Sequence, residues 1–190
     1  MLTEYSSIDD IRKFKEKARD KASEIINGSL SNYTRRLLIK SKQNKKFIQG
    51  KEIFYSVDRQ KVGLNVFATP TGEIMMALLT EVETDKGRMT YELSDPINVH
   101  TPHYRRRFKE RIGSCRYGPA SKTEVPYIRN GTEYRLQIVG DSVVVVKYID
   151  DDFCVYVTFL HRKMCTSKNY QELFDRVGKR IDEEDVYEWK

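Results

Sequence analysis

Two of the chain's three histidines and five cations fall in one run, His100-Thr101-Pro102-His103-Tyr104-Arg105-Arg106-Arg107-Phe108-Lys109-Glu110-Arg111-Ile112-Gly113. An imidazole can carry a proton near neutral pH, and a guanidinium presents a planar fork that matches phosphate. Thr101 suits the position before a helix, Pro102 its first residue and Gly113 a left-handed exit, so the spacing predicts a helix over 101–113. On a 3.6-residue period Tyr104, Phe108 and Ile112 line an apolar stripe, with His103, Arg107 and Arg111 on the stripe beside it. That row could hold a phosphate at a helix N-terminus. With His103 as proton carrier and Arg107 and Arg111 steadying charge on phosphorus, the same three groups would suffice for RNA cleavage. The plainer reading is a solvated helix face on which Glu110 pairs with Arg106 four residues earlier.

Arg105, Arg106 and Lys109 on this helix, Arg116 beyond it, and Arg35 and Arg36 nearer the N-terminus extend the set of cations that could meet nucleic acid. Twelve tyrosines and eight phenylalanines add rings able to stack on unpaired bases, among them Tyr91, Tyr127, Tyr134, Tyr148 and Tyr156 on expected strands. Metal chemistry is less well served. His100-x-x-His103 resembles a chelating pair, with Cys115, Cys154, His161 and Cys165 as conceivable further ligands, but Pro102 places His100 ahead of the helix and nothing fixes a third ligand. No metal site and no cofactor are assigned. Gly-x-x-x-x-Gly-Lys, a strand-embedded Gly-x-Gly-x-x-Gly and Gly-x-Ser-x-Gly are all missing. Asp150-Asp151-Asp152 lacks the spacing of a calcium loop and reads as a charged turn.

The elements that must position these residues follow from periodicity. Ser7 and Asp10 form a helix start, and Ile8, Ile11, Phe14, Ala18, Ala22, Ile25 and Ile26 recur every three or four residues until Asn27-Gly28. A second helix is expected from Ser29 or Ser31 into the Lys40 to Lys46 cluster. From Ile53 the pattern turns to strands, Phe54 to Val57, Val62 to Thr69, Ile74 to Glu83 and Arg88 to Leu93, pairing as an antiparallel meander around Pro70-Thr71-Gly72 and Asp85-Lys86-Gly87. After the basic helix come Val125 to Arg129, Tyr134 to Val139, Ser142 to Ile149 and Phe153 to Leu160, the first two joined at Asn130-Gly131. A last helix carries Tyr170, Leu173, Phe174, Val177 and Ile181. The layout α-α-β-β-β-β-α-β-β-β-β-α is an α+β fold: an antiparallel sheet with two N-terminal helices, one mid-chain helix and one C-terminal helix. We read 1–190 as a single domain, with 1–48 a helical N-terminal arm and 52–181 the α+β core.

The chain has 190 residues, 39% hydrophobic and 33% charged, with 34 Lys and Arg against 28 Asp and Glu. That length supports a well-buried core, and the formal charge of +6 favours acidic partners. Its longest aliphatic run, Val143 to Val146, is far too short to span a bilayer, and no signal-like segment opens the chain. Three cysteines without Cys-x-x-Cys spacing suit reduced thiols, so a cytoplasmic protein is expected, with no membrane association.

His103-x-x-x-Arg107-Phe108-x-x-Arg111, followed by the Thr158-Phe159 strand, Met164 and Gln171-Glu172-Leu173, resembles a pattern of uncharacterised proteins from Bacteroidetes genomes and their mobile elements. The resemblance covers residues 60–175 and implies no activity. More distantly, a His-x-x-x-Arg-x-x-x-Arg helix joined to a strand is similar to RelE-like and BrnT-like toxin folds, which implies RNA cleavage. The leading expectation is a basic nucleic-acid-binding module for RNA or another nucleic acid, with RNA cleavage left open as a further activity. Beside it stand a non-enzymatic phage or mobile-element accessory protein, docking a protein partner through the N-terminal helices, and a metalloenzyme.

Overall fold

The computed structural model describes residues 1–112, 123–139, 142–162, 171, 174, 175 and 177. Helices α1 (Ile8–Asn27) and α2 (Ser31–Asn44) precede strands β1 (Ile48–Val57), β2 (Gln60–Ala68), β3 (Ile74–Thr84) and β4 (Gly87–Glu92). Then follow β5 (Ile97–His100), α3 (Pro102–Ile112), β6 (Thr123–Arg129), β7 (Thr132–Val139), β8 (Ser142–Asp150) and β9 (Phe153–His161). The chain groups into two compact units, Met1–Asp95 and Pro96–Lys190. The helical pair falls in the first unit with the first four strands.

In the first unit Ser7 opens α1 with a reciprocal box: its hydroxyl accepts the Asp10 N–H at 3.1 Å, and the Asp10 carboxylate accepts the Ser7 N–H at 3.3 Å. Ile11, Phe14, Ala18 and Ala22 turn inward, and the Tyr55 hydroxyl donates to the Ala18 carbonyl at 2.6 Å. Strands β1 to β4 form the expected antiparallel meander. Val62, Leu64, Val66 and Ala68 alternate onto the helix-covered face, all fully buried. Helix α2 lies close over β1 because Gly50 has no side chain. A Cβ there would fall 2.9 Å from both Leu37 Cδ1 and the Tyr33 hydroxyl, which itself accepts the Lys51 N–H at 2.6 Å.

Helix α2 starts at Ser31, one of the two expected positions, behind Leu30, which offers no side-chain cap. Two other features differ from expectation. Strand β1 begins at Ile48, six residues before Phe54, because a bulge between Gln49 and Glu52 breaks the alternation that would announce it. The β1–β2 turn is Asp58-Arg59, both residues in the left-handed region with φ 47° and 66°, a mirror-type turn made without glycine. Lys17 reaches the Asp58 carboxylate at 2.8 Å and holds its pKa below the ordinary carboxylate value.

The second unit carries the strand order β5-β9-β8-β7-β6. The expected eight antiparallel strands are corrected here: the described residues contain nine strands and three helices, and β5 runs parallel to β9, pairing Ile97 with Phe153 and His100 with Tyr156. Four residues are too few to show a strand period, which is why β5 is invisible in the sequence. Val143 to Val146 are buried on both faces of β8, Val143 and Val145 in a cluster with Leu136, Ile138 and Leu160, Val144 and Val146 in one with Tyr104, Phe108 and Tyr156. Asn130 (φ 50°) and Gly131 (φ 75°) make the two-residue turn between β6 and β7 that the sequence announces. Of the expected C-terminal helix, residues 171, 174, 175 and 177 are helical, with Phe174 and Val177 buried in the first cluster. Its cap at Thr166 or Ser167 lies outside the described residues, as do Gly113, Arg116, Cys115 and Cys165. No described helix is long and apolar enough to cross a membrane.

Candidate anion-facing surfaces

Helix α3 forms where the residue types require it. The Thr101 hydroxyl accepts the Tyr104 N–H at 3.2 Å and lies 3.0 Å from the Tyr156 carbonyl, so the cap also ties the helix start to β9. Tyr104 and Phe108 are buried against Tyr156 and Phe159, the Phe108 and Phe159 rings meeting edge to face at 5.0 Å. Tyr104 and Phe108 therefore do what the spacing of the apolar stripe implies; the Ile112 side chain lies outside the described residues. The basic stripe divides.

His103 is exposed, with Nδ1 3.3 Å from an Arg106 guanidinium nitrogen. Partial burial, then Arg107, Arg106 and Arg111, lower the His103 pKa from its ordinary value and so favour the neutral ring. Arg107 pairs with Glu110 at 3.1 Å, which places the ion pair three residues apart rather than between Arg106 and Glu110. Arg111 turns to the protein: its Nη1 donates to the Phe159 carbonyl, and its Nε is buried with no acceptor among the described residues. Arg105 is half-buried and its charge bears on His100. Lys109 is exposed and has no ion-pair partner among the described residues. The expected triad of His103, Arg107 and Arg111 is thus brought onto one helix but not into one open site, because one guanidinium is satisfied by Glu110 and the other by a strand carbonyl.

His100 is no companion ligand for His103. It is 3% exposed at the end of β5, with its ring edge-on to Tyr156 at 4.8 Å, and burial pushes its pKa down to about 4, the Arg105 charge adding to the effect. Among the described residues no three His, Cys, Asp or Glu side chains are grouped so as to hold a metal ion. Cys154, one of the conceivable ligands, is buried and donates its thiol to Asn98 Oδ1 at 2.8 Å.

A cleft of about 540 Å³ in the second unit has the wrong sign for phosphate. Glu124, Glu133, Asp150 and Asp151 line it against a single cation, Arg135. The Tyr148 hydroxyl donates to Glu124 there at 2.9 Å, and burial, followed by that carboxylate, raises the phenol to about 12.

Among the described residues, the strongest unpaired positive surface is in the first unit, on α2 and the chain leading into β1. Between Ile25 and Lys51 there is no aspartate or glutamate, while Arg35, Arg36, Lys40, Lys42, Lys45, Lys46 and Lys51 supply seven cations, all exposed. None forms an ion pair with a described residue. Arg36 and Lys40 stand one turn apart, a like-charge pair that costs a helix a few tenths of a kcal/mol. Arg35 and Arg36 belong to the sequence-predicted set; Lys42, Lys45, Lys46 and Lys51 do not, although the acid-free run was there to be read. No family model, curated protein or solved structure matches the chain. The functional reading therefore rests on geometry and charge.

Proposed function

We propose that this protein binds nucleic acid through its phosphate backbone, with α2 and the segment entering β1 as the contact surface. The observation that carries the reading is the run of seven exposed cations from Arg35 to Lys51 with no carboxylate in the same stretch. A helix made for stability alone would place acids in its first turn and opposite charges one turn apart; α2 does neither. Such a surface releases counterions from a polyanion, and the affinity this generates is set by the number of phosphates neutralised. Lys109 and Arg106 on α3 offer a second, smaller cationic patch. RNA cleavage is not part of this reading, since Arg111 is engaged by the Phe159 carbonyl and Arg107 by Glu110.

The test is fluorescence anisotropy of a labelled RNA between about 50 and 200 mM salt. If all seven cations engage a single strand, the slope of log K against log salt is about −5. Replacing Arg35, Arg36 and Lys40 together by glutamate should reduce that slope by about 2 and weaken binding by more than about tenfold. A protein that binds no RNA at low salt, or binds equally well with the three glutamates, rejects the reading.

A further inference from the structure

The first unit's sheet has a second face. Register places Gln49 opposite Phe67, Glu52 opposite Asn65, Phe54 opposite Gly63, and Phe67 opposite Met75. These residues alternate away from Val62, Leu64, Val66 and Ala68, and so away from α1 and α2. Several apolar side chains on this face reach water, Phe54 at 47% exposed, Met75 at 51% and Phe67 half-buried, while Leu79, opposite Gly63, is buried. Phe47, one residue before β1, continues the same alternation and is 61% exposed. Phe54 lies over Gly63, where a Cβ would come within 3.3 Å of the ring, and the Lys61 ammonium sits 3.8 Å from its centroid.

We infer that Phe47 and Phe54 are stacking platforms for unpaired bases, which makes single-stranded nucleic acid the form this surface takes; the inference rests on the nucleic-acid reading above. Charge decides the occupant. Lys61 sits over Phe54, Lys45 and Lys46 immediately precede Phe47 in the chain, and Lys51 lies between the two rings in sequence; all four are exposed, and Lys45, Lys46 and Lys51 continue the acid-free run of α2. Register puts four carboxylates on this face, and each has a partner within the protein: Glu52 bonds Asn65 Nδ2 at 3.5 Å, Glu81 and Glu83 pair with Arg88 at 3.2 and 2.6 Å, and Glu92 is engaged as well. Exposed rings flanked by cations match a strand whose base faces and phosphates are both accessible. A duplex hides its base faces and would meet only the lysines. A base arriving on Phe54 displaces the Lys61 ammonium, which then lies beside the backbone phosphate.

The experiment compares a short single-stranded RNA with a duplex of the same length on the full chain. The single strand should bind more tightly at equal salt. Phe47→Ala with Phe54→Ala should lower its affinity by about tenfold or more while leaving the salt slope and duplex affinity unchanged. Phe47→Tyr with Phe54→Tyr, which keeps both rings, should restore it. Equal binding of the two RNA forms together with a silent alanine pair overturns the platform, and would mark the face as a protein-docking surface. That result leaves the phosphate reading intact. Loss of the phosphate reading shows separately, as indifference to the Arg35, Arg36 and Lys40 reversal.

Discussion

Helices α2 and α3 are both short and rich in arginine and lysine, yet the protein treats them differently. On α3 the protein's own atoms engage two of the cations, Glu110 for Arg107 and the Phe159 carbonyl for Arg111, while Arg106 rests beside the His103 imidazole and Lys109 is exposed. On α2 and the strand entry no described group answers them. Cation density alone does not mark a binding face. What separates the two helices is where each guanidinium or ammonium ends, and the second helix leaves its charges without an ion-pair partner among the described residues.

The sharpest way to break this contrast is to unseat α3. Phe108→Ala removes a ring 7% exposed that meets Tyr104 and Phe159, and should cost about 3–5 kcal/mol of stability in urea titration. RNA affinity of the remaining folded protein should be unchanged; a large fall would show α3 to be part of the interface.

His100 sharpens the contrast through pH. Its folded pKa of about 4 lies below the unfolded value near 6.5, so the unfolded chain binds the extra proton between those limits. Stability is therefore fully present above pH 6.5 and falls as pH drops toward 4, by up to about 3 kcal/mol. His100→Phe should flatten that part of the stability profile, and a profile unchanged by the substitution would contradict a buried neutral imidazole. The smallest effect is expected at Arg111. Arg111→Met forfeits a charge-assisted bond to Phe159 but relieves a buried Nε, for a net loss of about 1–2 kcal/mol in thermal or urea unfolding, with the salt slope of RNA binding unaltered. A changed slope with unchanged stability would return Arg111 to the surface.

Much of the architecture was legible wherever a local rule had one solution. Ser7 with Asp10 marked the start of α1, Asn130-Gly131 the turn of a hairpin, and Thr101-Pro102 the entry to α3. The parts that escaped depend on distant partners. Strand β5 exists because β9 runs alongside it, and the Asp58-Arg59 turn adopts left-handed backbone without a glycine to announce it. The site followed the same division. A row of His103, Arg107 and Arg111 could be seen in the spacing, but Arg111's acceptor is a carbonyl 48 residues away, beyond the reach of any local pattern. Exposure of the aromatic rings was equally hidden, since the bulge at Gly50 and Lys51 obscures which way Phe47 and Gln49 alternate.

The parallel pairing of β5 with β9 also sets an order of assembly. Asn98 and Cys154 are 56 residues apart, and the three strands between them close through their own hairpins. Local closures are fast and the long loop is slow, so β6 to β9 should zip together first and receive β5 with its helix as the last event. On a ribosome, Ile97 and Val99 emerge well before the strand that shelters them, and the nascent chain must carry that sticky edge until residue 156 has been made.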